Sequence, residues 1–151
     1  MLLDILKSAI KAIASSLEYQ KEYGTQCITM RGEKVKSKGE KQIADYLFGQ
    51  KILYEYERVA KTNGWIFHDE ISKPDFYLPE YNVFIEYWGL VNAQDNRVKA
   101  HYTRIMKWKM AQYHENEIKF ISIYPDNLSN LDWIFKAKFK SATGIDLKKM
   151  P

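Results

Sequence analysis

The chain has 151 residues and a single cysteine, Cys27, which excludes an internal disulfide framework and any Cys-rich zinc site. Its three histidines, His68, His101 and His114, lack the spacing of zinc ligands. No stretch approaches the roughly 20 apolar residues that a membrane-spanning helix needs. Asp4, Lys7 and Lys11 interrupt the opening segment, where a signal peptide would keep a clean apolar run. Internal repeats and low-complexity tracts are also missing. These absences predict a soluble, cytoplasmic protein of ordinary globular build in a reducing compartment. Charge of one sign is scarce too, since 23 Lys and Arg stand against 19 Asp and Glu for a formal net charge of +4. That balance permits a nucleic-acid partner without requiring one.

Aromatic residues, by contrast, are plentiful: eleven Tyr and four Trp argue for a dense core or for stacking surfaces. Leu3, Leu6, Ile10, Ile13 and Leu17 follow one another at helical spacing along a narrow apolar seam. Such a seam suits a helix packed on its own domain, or a homodimer contact with its twin. From Glu18 to Lys38 the periodicity fades and Lys, Gly and Ser accumulate, which reads as a loop. Residues 1–36 are therefore expected to form an N-terminal amphipathic helix and loop, and residues 37–151 the main domain.

Ser37 is placed to cap a second helix that runs to about Phe48 and ends at Gly49. Strand-like runs follow at Ile52 to Val59, Pro74 to Leu78 and Val83 to Trp88, and Trp65 to His68 adds a short strand or extends a turn. A third helix from about Asn96 to Glu115, an apolar strand from Ile118 to Tyr124 and a last helix from about Ser129 to Lys140 complete the pattern. The last helix sets Leu131, Ile134, Phe135 and Lys138 on one face. This order predicts an α/β fold of the α+β kind, a central mixed sheet flanked by helices, with an extra N-terminal helix.

The chemistry lies in charged residues on apolar faces. Glu40 heads the stripe Glu40, Ile43, Ala44, Leu47 of the second helix, and Lys109 interrupts the stripe Tyr102, Ile105, Met106, Tyr113 of the third. Taken singly, each fits a side chain reaching past the domain edge, or a glutamate serving a helix N-terminus. The hairpin makes a sharper case. If Pro79 to Asn82 form a four-residue loop, Leu78 pairs with Val83, and counting outward sets Asp75 directly opposite Glu86. Opposed residues have Cβ atoms ~4.5–5.5 Å apart, too close for two carboxylates unless one is protonated or a cation lies between them. Mg²⁺ or Mn²⁺ accepts such oxygen ligands. Glu86 moreover stands in Val-Phe-Ile-Glu-Tyr-Trp, an apolar strand where an idle charge is costly, and Gly89 then lets the backbone turn away. The competing reading is a bulge that offsets the pair, or two acids facing water. Glu55 and Glu57 are expected to alternate outward on the early strand, with Glu57 a minor candidate for approaching the site.

These residues, from about Ser37 to Trp133, resemble the PD-(D/E)XK nuclease superfamily with its restriction-endonuclease-like fold. The likeness rests on Ser37-Lys38-Gly39-Glu40, on Lys73-Pro74-Asp75-Phe76 and on Ile85-Glu86-Tyr87-Trp88. Trp88 stands where the family carries its lysine. A similar variant occurs in nuclease-like domains attached to some superfamily-1 helicases, in which a following helix bears Tyr, Met or an aromatic, Lys and Tyr. Tyr102, Met106, Lys109 and Tyr113 fall at those spacings, so the resemblance implies that Lys109 replaces the in-strand lysine, with Lys107 as an off-stripe competitor.

The resemblance implies a Mg²⁺- or Mn²⁺-dependent deoxyribonuclease, an endonuclease leaving 5′-phosphates, with Glu40, Asp75, Glu86 and Lys109 catalytic. Asp75, Glu86 and the Tyr87 carbonyl would hold the metal, and Glu40 would reach it through water or hold a second ion. Lys36, Lys38 and Lys41 near the second helix, and Arg97, Lys99 and Arg104 on the third, are the candidates for phosphate contacts with DNA. Two rivals stand beside this reading: a nuclease-like module that binds nucleic acid without cutting it, and a partner subunit dimerising through the first helix. A glycosidase built on the same acids fails on geometry, because a narrow hairpin leaves no room for a sugar ring.

Overall fold

In the computed structural model residues 2–23, 26–64 and 68–149 are described. The amphipathic opening folds into α1 (Leu2–Ala14), and a second, short helix α2 (Leu17–Tyr23) follows at once. Ser16 starts α2, its hydroxyl accepting the Tyr19 N–H at 3.1 Å. Beyond it a two-stranded antiparallel ribbon joins β1 (Cys27–Ile28) to β2 (Lys34–Val35). The loop expected over Glu18 to Lys38 is therefore corrected. None of α2's residues is buried, so it left no apolar rhythm in the sequence. It is held instead by distant partners, above all Glu18, whose carboxylate accepts the Gln94 and Asp95 N–H groups at 2.6 and 2.9 Å.

Ser37 caps α3 (Lys38–Gly49) by accepting the Glu40 N–H at 3.1 Å, and the expected stripe of Glu40, Ile43, Ala44 and Leu47 is buried. The strand expected over Ile52 to Val59 shrinks to β3 (Glu55–Tyr56), because Glu57 adopts a left-handed φ of 55° that ends the pairing. β4 (Ala60–Lys61) and β5 (Glu70–Ser72) then form a separate antiparallel ribbon. Of the segment expected to add a short strand, Trp65 to Phe67 lie outside the described residues and His68 is not in a strand. β6 (Phe76–Leu78), β7 (Val83–Tyr87), α4 (Asn96–Glu115) and β8 (Phe120–Ile123) match the remaining expectations closely. A 3-10 turn at Pro125–Asn130 leads into α5 (Leu131–Thr143), whose buried face is Leu131, Phe135 and Phe139. Lys138, expected on that face, extends its ammonium to the Ser122 carbonyl at 2.6 Å.

The central sheet has the order β3-β6-β7-β8, antiparallel except for the parallel pair β7 and β8. Side chains alternate between its faces as the pleat requires. Phe76, Leu78, Val83, Ile85, Tyr87, Ile121 and Ile123 pack with α3 and α5, whereas Tyr77 and Phe84 pack with Tyr113 of α4. The fold is thus a mixed α/β sandwich, helices on both sides of a mixed sheet. Asp75 and Glu86 take their parity from the second face, the one that looks toward α4.

α1 lies on the outer side of α4. Leu6, Ala9 and Ile13 are buried, and Ile13 joins a cluster with Leu90, Val98, Tyr102 and Ile105. The seam read from the sequence is shifted by this packing: Ile10 and Leu17 are 53% and 79% exposed, and the Leu3 side chain lies outside the described residues. A second copy of the chain would find Ile5, Ile10 and Leu17 on this helical pair rather than Leu6 and Ile13. Among the described residues no helix is long and apolar enough to cross a membrane.

Candidate functional site

The four-residue loop sets the register as the hairpin count requires, with Leu78 opposite Val83, Tyr77 opposite Phe84 and Phe76 opposite Ile85. Asp75 is the next position outward and its carboxylate crosses to β7, where Oδ2 accepts the Tyr87 N–H at 2.6 Å. Glu86, between them in the row, is 2% exposed. Burial, then the charges of Glu86 and Glu40, hold the Asp75 carboxyl well above the ordinary carboxylate range. Three acids thus press on one another at the end of β7.

α4 brings two side chains down onto Glu86. The Tyr113 hydroxyl donates to Oε1 at 2.5 Å and Lys109 Nζ lies 3.4 Å from the same oxygen. They are four residues apart and share a helix face, so both reach one carboxylate. Tyr113 also shares a hydrogen bond with Ser72 of β5 at 2.6 Å. Trp88, where the resemblance expects a lysine, is engaged by two neighbours. Its indole N–H donates to Ser122 Oγ at 2.9 Å, and its ring lies under Lys109 Nζ, 5.7 Å from the centroid. Lys107 is exposed.

Glu40 enters from α3 and is 1% exposed. Its Oε2 accepts the Tyr56 hydroxyl at 2.6 Å and the Lys36 N–H at 3.0 Å. Burial raises its carboxyl above the usual range, and the nearby Glu57 adds to the rise, while the two hydrogen bonds oppose it. Glu57, a minor candidate in the sequence reading, does approach this group. Its backbone N–H bonds the Asp75 carbonyl at 3.0 Å and its carboxylate ion-pairs with Lys36, so it belongs to the border of the site.

The end of β7 is packed by unusually close approach. The Tyr87 ring passes against α3 at Gly39, where an added Cβ would sit 2.3 Å from Cζ. Its hydroxyl donates to Glu22 of α2 at 3.0 Å. At Gly89 an added Cβ would meet the Tyr23 hydroxyl at 2.6 Å and Glu22 Oε1 at 3.0 Å. Gly39→Ala is expected to cost about 1–3 kcal/mol through forced displacement of Tyr87, read as a lowered denaturant midpoint with unchanged slope. An unchanged midpoint would contradict this packing.

The carboxylates have the composition of a divalent-cation site. One oxygen of each is engaged, Asp75 Oδ2, Glu86 Oε1 and Glu40 Oε2, and no hydrogen bond from a described residue reaches the other. Among the described residues no three His, Cys, Asp or Glu side chains converge into an all-protein cage. Mg²⁺ characteristically takes one or two carboxylates and leaves its other positions to water and phosphate, so the Asp75–Glu86 pair fits it. The Tyr87 peptide, tied to Asp75 through its N–H, stands beside that pair.

Of the residues expected to meet phosphates, Lys36 and Lys41 are ion-paired, with Glu57 and Asp45. Lys38, Arg97, Lys99 and Arg104 are exposed. Arg104 lies about 140° around the helix from Lys109, so it does not look toward the acids. Sequence reasoning assigned no role to Tyr56 or to Glu22, and it left Tyr113 without its partner Glu86; the visible signal for Tyr113 was its place on the Lys109 stripe. Comparison with family models, with curated proteins and with solved structures gives no match for this chain.

Proposed function

We propose that the protein is a metal-dependent nuclease that hydrolyses phosphodiester bonds of DNA, a variant of the PD-(D/E)XK superfamily with a restriction-endonuclease-like core. The observation that carries this reading is the crowding of Asp75, bonded to the Tyr87 N–H, with Glu86 on the neighbouring strand, and Lys109 at 3.4 Å from Glu86. Asp75, Glu86 and the Tyr87 carbonyl would hold Mg²⁺ or Mn²⁺, and Glu40 would reach it through water. When bound, the metal lowers the pKa of a coordinated water and polarises a phosphoryl oxygen.

Lys109 supplies the positive charge that an in-strand lysine gives elsewhere in the superfamily. Held by Glu86 and the Trp88 ring, its ammonium is preorganised to orient the attacking water and to offset charge growing on the phosphate. Tyr113 engages Glu86 Oε1, which would leave the other oxygen for the metal. Tyr56 does the same for Glu40. Lys38, Arg97 and Lys99 are the exposed cations left to grip the DNA backbone.

Purified protein incubated with single-stranded, duplex and branched DNA is expected to cleave at least one of them with Mg²⁺ or Mn²⁺ and none in EDTA. The products are expected to carry 5′-phosphates. Binding without cleavage under every one of these conditions would replace the nuclease with the second reading, a nucleic-acid-binding module. The feature favouring that alternative is the internal compensation of Glu86 by Lys109 and Tyr113.

A further inference from the structure

We propose that Ser72 is a positioning residue of the cation site, orienting the Glu86 carboxylate through the Tyr113 hydroxyl. The inference rests on the metal reading of Asp75 and Glu86, and it carries the site onto the β4–β5 ribbon, which lies outside the central sheet.

Three oxygens are linked in series. Ser72 Oγ lies 2.6 Å from the Tyr113 hydroxyl, and that hydroxyl lies 2.5 Å from Glu86 Oε1. Counting protons fixes the direction of the series. A carboxylate can only accept, and a phenol has one hydrogen to give. Tyr113 therefore donates to Glu86, and the hydrogen between Ser72 and Tyr113 belongs to Ser72. Tyr113 is fully buried, which closes its oxygen to bulk solvent. Ser72 is the donor that satisfies it.

The ribbon is seated for this contact. Ala60, the cross-strand partner of Ser72, is buried in one cluster with Tyr77, Phe84 and Tyr113. The Asn63 N–H bonds Asn116 Oδ1 at 2.8 Å, just past the end of α4. Both contacts hold the ribbon against the stretch of helix that carries Tyr113.

Hydrogen bonds in series polarise one another where water is excluded, so the Ser72 donor strengthens the bond from Tyr113 to Glu86. Lys109 reaches the same oxygen at 3.4 Å. With Oε1 held by both, rotation of the carboxylate is restricted before any ligand arrives. Glu40 is held in the same manner: the Tyr56 hydroxyl donates to it at 2.6 Å and accepts the Lys36 N–H at 3.2 Å.

The test is a double-mutant cycle of Ser72→Ala and Tyr113→Phe in the full chain. It is read as the Mn²⁺ dissociation constant and, on single-stranded, duplex and branched DNA, as kcat and KM. Ser72→Ala alone is expected to raise the Mn²⁺ constant and to lower kcat, each about threefold to tenfold, with KM for DNA unchanged. In the Tyr113→Phe background the same change is expected to have no effect, because the hydroxyl that transmits it is gone. A packing role for Ser72 would persist in that background. Wild-type Mn²⁺ affinity in Ser72→Ala overturns this inference and leaves the nuclease standing. Equal losses in the two backgrounds overturn it as well. A wild-type protein that binds Mn²⁺, follows the cycle and cuts no DNA overturns the nuclease and keeps the inference. A wild-type protein that binds no Mn²⁺ overturns both.

Discussion

Asp75→Asn is expected to abolish the proposed cleavage and, in metal-free solution, to stabilise the protein. The loss of activity is expected to be about 10³-fold or more, because one of the two carboxylates proposed to hold the cation is neutralised. The gain in stability follows from the crowding of Asp75, Glu86 and Glu40. Burial and its acidic neighbours raise the Asp75 carboxyl in the folded chain, so the folded state binds that proton more tightly than the unfolded state does. Such a group contributes stability that is complete below the unfolded carboxylate range, near pH ~4, and that is lost as pH rises through the raised folded value. Glu40 shifts in the same direction. Metal-free wild type is therefore expected to lose melting temperature as pH rises from about 4 toward 8, and Mg²⁺ or Mn²⁺ to restore part of it at the upper end. Asparagine removes the charge without changing the shape, and about 1 kcal/mol recovered this way is worth roughly 2–4 °C in a chain of this size. Thermal melts over that pH range, with and without metal, check the claim. A variant melting below wild type at pH 8 without metal would mean that the three acids do not repel as described.

Lys109→Met is the second large effect. Lys109 is half-buried, 3.4 Å from Glu86 and above the Trp88 ring, so methionine keeps much of the packing and removes only the charge. A fall in kcat of about 10²–10³-fold is expected, with KM for DNA little changed. Lys107→Met is expected to cut at the wild-type rate, since Lys107 is exposed. If the two variants behaved alike, the assignment of Lys109 would fail, and with it the idea that a helix has taken over the work of the strand.

What the sequence disclosed was whatever depends on neighbours along the chain. The hairpin register follows from a turn length, α3 with its buried Glu40 from a cap and a stripe, and α4 from a helical period broken at a lysine. What stayed hidden depends on distant partners. Tyr56 meets Glu40 across 16 residues, Tyr113 meets Glu86 across 27, and Glu22 meets Tyr87 across 65. Such pairings leave no periodic trace. α2 was invisible for the related reason that it buries none of its residues and is held by Glu18 reaching the start of α4. The left-handed turn at Glu57 was missed because glutamate gives no signal for it, although it cut short a strand the local pattern supports.

α4 is in effect a screw thread engaged at two places. Val98, Tyr102 and Ile105 seat it in the cluster shared with α1, while Lys109 and Tyr113 mesh with Glu86 one turn further along. Each residue of helix adds about 100° of rotation and 1.5 Å of advance, so the two engagements are phased to each other. One residue inserted between Ile105 and Lys109 would turn the ammonium away from the acids even with every side chain still present. This stretch should therefore accept exchanges of one residue for another far more readily than any change in its length.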